Sequence, residues 1–175
     1  MNRASEVLRR LEKMAEKQFV SSIGPVKGKI ITEIIKEYKL RNILEVRTLY
    51  GYSAIVMADT LKNSAADGKV VTIEINKSSA DIARKNIADA SLSEKIEVII
   101  GNALDIIPKL GLKFKLMFLD AAKVEYLKYL KLAENTCLEK DAVIVADKVE
   151  ISKNEMTDYL EYVRNSALYK LLKLQ

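Results

Sequence analysis

The 175-residue chain contains no histidine and no tryptophan, a single cysteine (Cys137) and only two prolines. Each shortage excludes something. Without histidine there is no Ser–His triad, no His-ligated zinc and no imidazole base, so proton transfer must use Asp, Glu, Lys, Tyr or Cys. One cysteine allows neither an intrachain disulfide nor a Cys-rich metal centre. Any metal site must then be built mainly from oxygen ligands, which favours Mg²⁺ or a similarly hard ion. No apolar run approaches the length of a membrane span. The stretch Met1–Lys17 is charged and amphipathic, without a signal-peptide core. A cytoplasmic chain with no membrane partner is therefore expected. Six glycines and two prolines leave no linker, and no repeat or low-complexity tract is visible, so residues 1–175 are expected to form one domain.

What is present is an ordinary soluble composition, 49% hydrophobic and 30% charged. The net charge is +5, from 29 basic and 24 acidic residues. This mild excess permits a nucleic-acid partner. The lysines are spread along the chain rather than clustered, and a solvated surface accounts for them more simply.

Hydrophobic periodicity predicts two amphipathic helices first. Residues 4–18 carry Val7, Leu8, Leu11, Met14 and Ala15 on one stripe; after a break at Ser21-Ser22-Ile23-Gly24-Pro25, residues 26–39 turn Ile30, Ile31, Ile34 and Ile35 inward. Short, nearly continuous apolar runs at 42–46, 69–75, 96–100, 114–119 and 142–146 then alternate with helical stretches at 51–62, 78–90, 103–110, 124–135 and 153–166. Runs of that kind suit parallel strands covered on both faces. The alternation predicts an α/β fold with a doubly wound, mostly parallel sheet.

Ligands of such sheets bind beyond the carboxyl ends of the strands. Those ends carry Glu45, Glu74, Gly101-Asn102, Asp120 and Asp147. Any one of them could be an ordinary turn or cap residue; their recurrence on one rim points to a site. After Glu45 a tight loop leads to Gly51 at a helix start, and Glu74 ends the next apolar run, at about the 20-residue spacing where an acid accepts hydrogen bonds from a ribose. Arg47 occupies the loop position that usually requires glycine.

Across roughly Ser5–Arg164 these segments resemble the catechol O-methyltransferase-like family of class I methyltransferases, which use S-adenosylmethionine (SAM) and have a Rossmann-like core. Leu44-Glu45-Val46 with Gly51-Tyr52-Ser53 is similar to the first cofactor motif, and Thr72-Ile73-Glu74-Ile75-Asn76 to the second. Gly101-Asn102-Ala103 with Asp105-Ile106-Ile107-Pro108 resembles the adenine-side loop. Phe118-Leu119-Asp120-Ala121-Ala122-Lys123, with Tyr126 and Tyr129, resembles the metal and catalytic segment. Ala146-Asp147-Lys148 stands where the family has Ala-Asp-Asn, and Gly24-Pro25-Val26-Lys27-Gly28 resembles the entry to the second helix.

The resemblance implies that Glu45, Ser53, Ile23 and the Gly51 backbone hold the methionine end of SAM, and that Glu74 binds the ribose. It implies that Asn102 and Ala103 flank the adenine, that Asp120 and Asp147 ligate Mg²⁺, and that Lys123 is the general base, with Asp120 beside it in the cofactor cleft. Residues 1–40 would cover the acceptor side and residues 41–175 would form the core.

Three departures from the family pattern stand out. Arg47 adds bulk and a strained backbone where the family has glycine; its side chain either swings outward or pairs with the methionine carboxylate. Lys148 replaces the metal-ligating Asn. Its ammonium either sits between Asp120 and Asp147 in place of the ion, or points away and leaves two carboxylates completed by water. After the last helix, residues 167–175 supply one strand at most where the family has a hairpin, so the fifth strand is an exposed edge and a homodimer is expected.

The leading expectation is methyl transfer to a hydroxyl of a small catechol-like or hydroxylated aromatic molecule. The alternatives are methylation of a hydroxylated uridine in tRNA, or a catalytically weakened member serving as a binding or assembly module.

Overall fold

The computed structural model describes residues 2–18, 23–64 and 67–170. The break at Ser21-Ser22 and the end of the C-terminal segment, residues 171–175, lie outside the described residues.

Twelve regular elements follow in order: α1 (Arg3–Gln18), α2 (Gly24–Glu37), β1 (Ile43–Val46), α3 (Tyr52–Asn63), β2 (Val70–Glu74), α4 (Lys77–Asp89), β3 (Ile96–Ile100), α5 (Ala103–Ile106), β4 (Phe114–Leu119), α6 (Tyr126–Thr136), β5 (Leu138–Ala146) and α7 (Thr157–Asn165). Short 3₁₀ turns at Ile107–Lys109, Lys123–Glu125 and Lys153–Glu155 precede or extend the helices. The strands form one sheet in the order β3-β2-β1-β4-β5, every pair parallel.

The strand runs are continuous because both faces are covered, and β1 and β2 are buried at every position. Alternate side chains feed two cores. Ile43, Val70, Ile96, Leu116 and Phe118 pack with Ala4, Val7 and Leu11 of α1, Ile31, Ile34 and Ile35 of α2, and α3 and α4. Leu44, Val46, Val71, Ile73, Met117 and Leu119 pack with Tyr126, Tyr129 and Leu130 of α6 and Tyr159, Leu160 and Val163 of α7. Each fully buried Ile, Leu, Met or Phe contributes roughly 1.5–3 kcal/mol, which holds the three layers together.

The structure adjusts several expected boundaries. β5 begins four residues earlier than its apolar run, because Glu139-Lys140-Asp141 lies on an exposed edge where polar side chains cost nothing. A register shift separates Phe114↔Leu138 from Leu116↔Val143, and Asp141 takes φ 60° there. The stretch expected as one helix over 153–166 is a 3₁₀ turn followed by α7. Residues 167–170 form no strand.

Candidate active site

With all five strands parallel, their carboxyl ends share one edge of the sheet. Strand order reverses between β1 and β4, which is where doubly wound sheets open a crevice. The loops there are tightly wound. Arg47 (φ 85°), Leu49 (φ 48°) and Lys148 (φ 60°) all take left-handed backbone, at a typical cost of about 1–3 kcal/mol each for non-glycine residues. Gly51 (φ 86°) opens α3, and a Cβ there would meet the Ala83 Cβ at 3.4 Å, so glycine serves both the turn and the close helix approach.

Glu45 is completely buried on the α3 side of β1. Ser53 donates to its Oε1, and Thr72 donates to its Oε2 at 2.5 Å. Thr48 and Thr72 share a further hydroxyl contact of 2.6 Å. Burial outweighs these hydrogen bonds and pushes the carboxyl from its ordinary 4.5 up to about 7, with Asp120 and Glu74 adding in the same direction. Beside it a small pocket of about 30 Å³ is lined by Leu11, Met14, Ile23 and Ser53. Tyr52 Oη donates to Glu12 at 2.6 Å and ties α1 over this end.

Glu74 ends β2 as a fixed carboxylate that accepts from the Leu49 N–H at 2.8 Å and the Asn76 N–H at 2.9 Å. Asn102 caps α5 by accepting from the Leu104 N–H at 2.9 Å, and Ala103 is buried behind it. Glu74, Asn102, Ala103, Asp120, Lys123 and Lys148 line a cleft of about 520 Å³. Ile75 lines it as well, an apolar side chain left 71% exposed. Arg47 and Asp120 line both this cleft and the small pocket, so they stand between them.

At the ends of β4 and β5, Asp120 and Asp147 are ringed by cations. Asp120 Oδ1 meets Lys148 Nζ at 3.0 Å and Lys123 Nζ at 3.5 Å, and its Oδ2 meets Arg47 Nη1 at 3.2 Å. Asp147 Oδ1 pairs with Lys27 from α2. Asp147 Oδ2 is buried without a hydrogen bond, 3.7 Å from Lys148 Nζ. Lys123 also donates to Tyr126 Oη, which in turn donates to the Leu119 carbonyl at 2.8 Å. Burial pushes the Lys123 ammonium below its ordinary value and Lys148 adds to this, while Asp120 and Asp147 oppose it.

A divalent ion would need oxygen ligands and charge compensation. Four basic side chains already surround the two carboxylates. Among the described residues no third His, Cys, Asp or Glu joins the pair. A protonated lysine in the third position donates and cannot ligate. The residues present do not fit a divalent ion.

The structure brings Glu45 and Ser53 into contact, sets Glu74, Asn102, Ala103, Asp120 and Lys123 around one cleft, and lays Ile23 beside the smaller pocket. Of the alternatives for Lys148, it adopts the position between the two aspartates. Arg47 pairs with Asp120 rather than swinging outward. Sequence reasoning missed Lys27, Thr48, Thr72 and the part played by Tyr126. Lys27 lies in the segment Gly24–Gly28, which drew notice only as a helix entry; its partner Asp147 is 120 residues away.

The family model described as O-methyltransferase matches residues 2–166, and the chain belongs to that family. Catechol O-methyltransferase of Mus musculus is 35% identical over 162 residues, covering 89% of this chain and 59% of the relative. Catechol O-methyltransferase of Mycobacterium tuberculosis is 34% identical over 129 residues, covering 73% of this chain and 57% of that protein. The chain thus spans less than two thirds of the length of these relatives. Among solved structures, the O-methyltransferase TomG from Streptomyces achromogenes, in complex with SAM, superposes with a TM-score of 0.82 at 26% identity, over 93% of this chain and 79% of that one. The O-methyltransferase from Bacillus cereus, in complex with S-adenosylhomocysteine, gives 0.80 at 26% identity, over 93% and 80%.

Proposed function

We propose that the chain is a SAM-dependent O-methyltransferase acting on a small hydroxylated aromatic acceptor. The observation that carries this reading is that Glu74, Asp120 and Lys123 line one cleft at the strand-order reversal, with the buried Glu45–Ser53 pair on the neighbouring strand and helix. Family membership and SAM-bound relatives of the same fold support it.

SAM supplies a methyl group on a positively charged sulfonium. Glu74 would hold its ribose, since a carboxylate accepts two hydrogen bonds at once and this one is already positioned by two backbone N–H groups. Ile75 and Ala103 offer the adenine apolar contact, and Glu45 with Ser53 would hold the methionine end. Lys123, shifted toward its neutral amine, takes the proton of the acceptor hydroxyl, and Tyr126 holds its Nζ toward Asp120. The chain's share of the work is alignment and proton removal.

Calorimetric titration of SAM, followed by transfer of labelled methyl to a panel of hydroxylated aromatics, tests this. Binding, turnover and loss of turnover in Lys123→Met with SAM affinity retained are the expected results. Absence of SAM binding at millimolar ligand would sink the reading.

A further inference from the structure

The geometry points to Lys148 as a resident cation in place of the divalent ion, making this site metal-independent and suited to an acceptor that presents a single acidic hydroxyl. The inference rests on the O-methyltransferase reading of the cleft and deepens it.

Lys148 Nζ lies 3.0 Å from Asp120 Oδ1 and 3.7 Å from Asp147 Oδ2, between the carboxylates that would otherwise grip a metal. The backbone serves this placement. The Asp147 N–H is bonded to the Leu119 carbonyl at 2.9 Å, which locks the β5 end against β4, and Lys148 then turns through φ 60° beside it. Lys27 pairs with the opposite oxygen of Asp147, so α2 closes the remaining approach to that carboxylate. A metal would have to displace Lys148 and then sit among Lys27, Arg47 and Lys123, all within ion-pair distance of the same two acids. The repulsion rises with the ion's double charge.

The exchange alters what the site can recognise. A divalent ion keeps adjacent coordination positions and can chelate two neighbouring oxygens. An ammonium cannot chelate; with Asp120 already accepting from it, Lys148 acts as a compact point charge that steadies a single oxyanion. The developing phenolate would lie near Lys148, while Lys123 takes the proton. A vicinal second hydroxyl gains nothing from a metal and is not required.

The test has arms that fail separately. Mn²⁺ titration of the intact chain, read by water-proton relaxation, needs no turnover. No Mg²⁺-displaceable binding at millimolar ion is expected, and such binding at this site would overturn the inference even if no methyl acceptor were ever found. In turnover, a chelator should leave the rate unchanged; a rate lost with chelator and restored by Mg²⁺ overturns it. Lys148→Met, which keeps length and removes charge, should lower kcat about 100-fold with the SAM KM retained, as loss of one oxyanion donor does elsewhere; a wild-type kcat would refute the role. With 4-nitrophenol and 4-nitrocatechol, which are similar in acidity, kcat/KM should agree within about tenfold, whereas a chelating site would reject the monophenol by about 10⁴-fold or more. Failure of SAM to bind would strike the proposed function, and the Mn²⁺ arm would still judge the fate of the acid pair.

Discussion

Glu45 makes the sharpest prediction, because its burial sets two pH dependences of opposite sign. Its carboxyl titrates near 7 in the folded chain against an ordinary 4.5. A raised carboxyl favours the folded state only while protonated. The contribution is present in full below pH 4.5 and is lost as the pH climbs through about 7. The gap is worth about 3 kcal/mol. Glu45→Gln should therefore stabilise the free protein at pH 8 by up to about 3 kcal/mol and change little at pH 5, as read by urea unfolding. The Ser53 and Thr72 hydroxyls can rotate to suit the amide.

Cofactor binding should run the other way. The ionised form is the one that attracts the cationic methionine end of SAM. At pH 5.5 about 3% of Glu45 is ionised and at pH 7 about half, so SAM affinity should rise about fifteenfold across that window. The α-amino group of SAM stays protonated throughout it, so the slope belongs to the protein. Binding near pH 6 should release close to one proton to the buffer, measurable by calorimetry in buffers of different ionisation enthalpy. An affinity flat from pH 5.5 to 7, or a slope that persists in Glu45→Gln, would refute both the assigned role and the shifted titration.

Two further predictions follow from backbone strain and from the buried tyrosine. At Arg47 (φ 85°), substitution by Ala keeps the left-handed strain and loses the Asp120 pair, whereas Gly relieves the strain; Arg47→Gly should exceed Arg47→Ala in stability by about 1 kcal/mol, and equal denaturation midpoints would refute the strain argument. Tyr126→Phe removes the 2.8 Å hydrogen bond to the Leu119 carbonyl, which keeps the Asp147 N–H as a donor, so the cost is about 0.5–1.5 kcal/mol, and it should lower kcat by freeing Lys123 from its tether; an unchanged kcat would remove Tyr126 from the mechanism.

Much of the architecture was legible in the residue order. Val70-Val71-Thr72-Ile73 and Leu116-Met117-Phe118-Leu119 read as strands buried on both faces because no charged residue breaks either face, and their alternation with helices demands parallel crossovers. That topology places the residues after each strand on one edge, so Glu45, Glu74, Asn102, Asp120 and Asp147 could be grouped before any coordinates. β5 was harder. Its first half is polar because, among the described residues, one edge meets no neighbour in the sheet, and apolar pattern fails where burial is partial.

The charges of the site were decided by the tertiary structure. Local sequence could show that Arg47 and Lys148 break a pattern, since each sits where glycine or an oxygen ligand belongs. It could not show which partner each would take. Arg47 finds Asp120 across 73 residues, Lys148 across 28, and Lys27 finds Asp147 across 120. Strand patterns are written by neighbours in the chain, through a period that the backbone imposes. Ion pairs depend on distances of a few ångströms between segments that only the packed sheet brings together. The sequence by itself thus determined the fold and the acidic rim, and the fold determined that the rim's two aspartates are held by the chain's own cations.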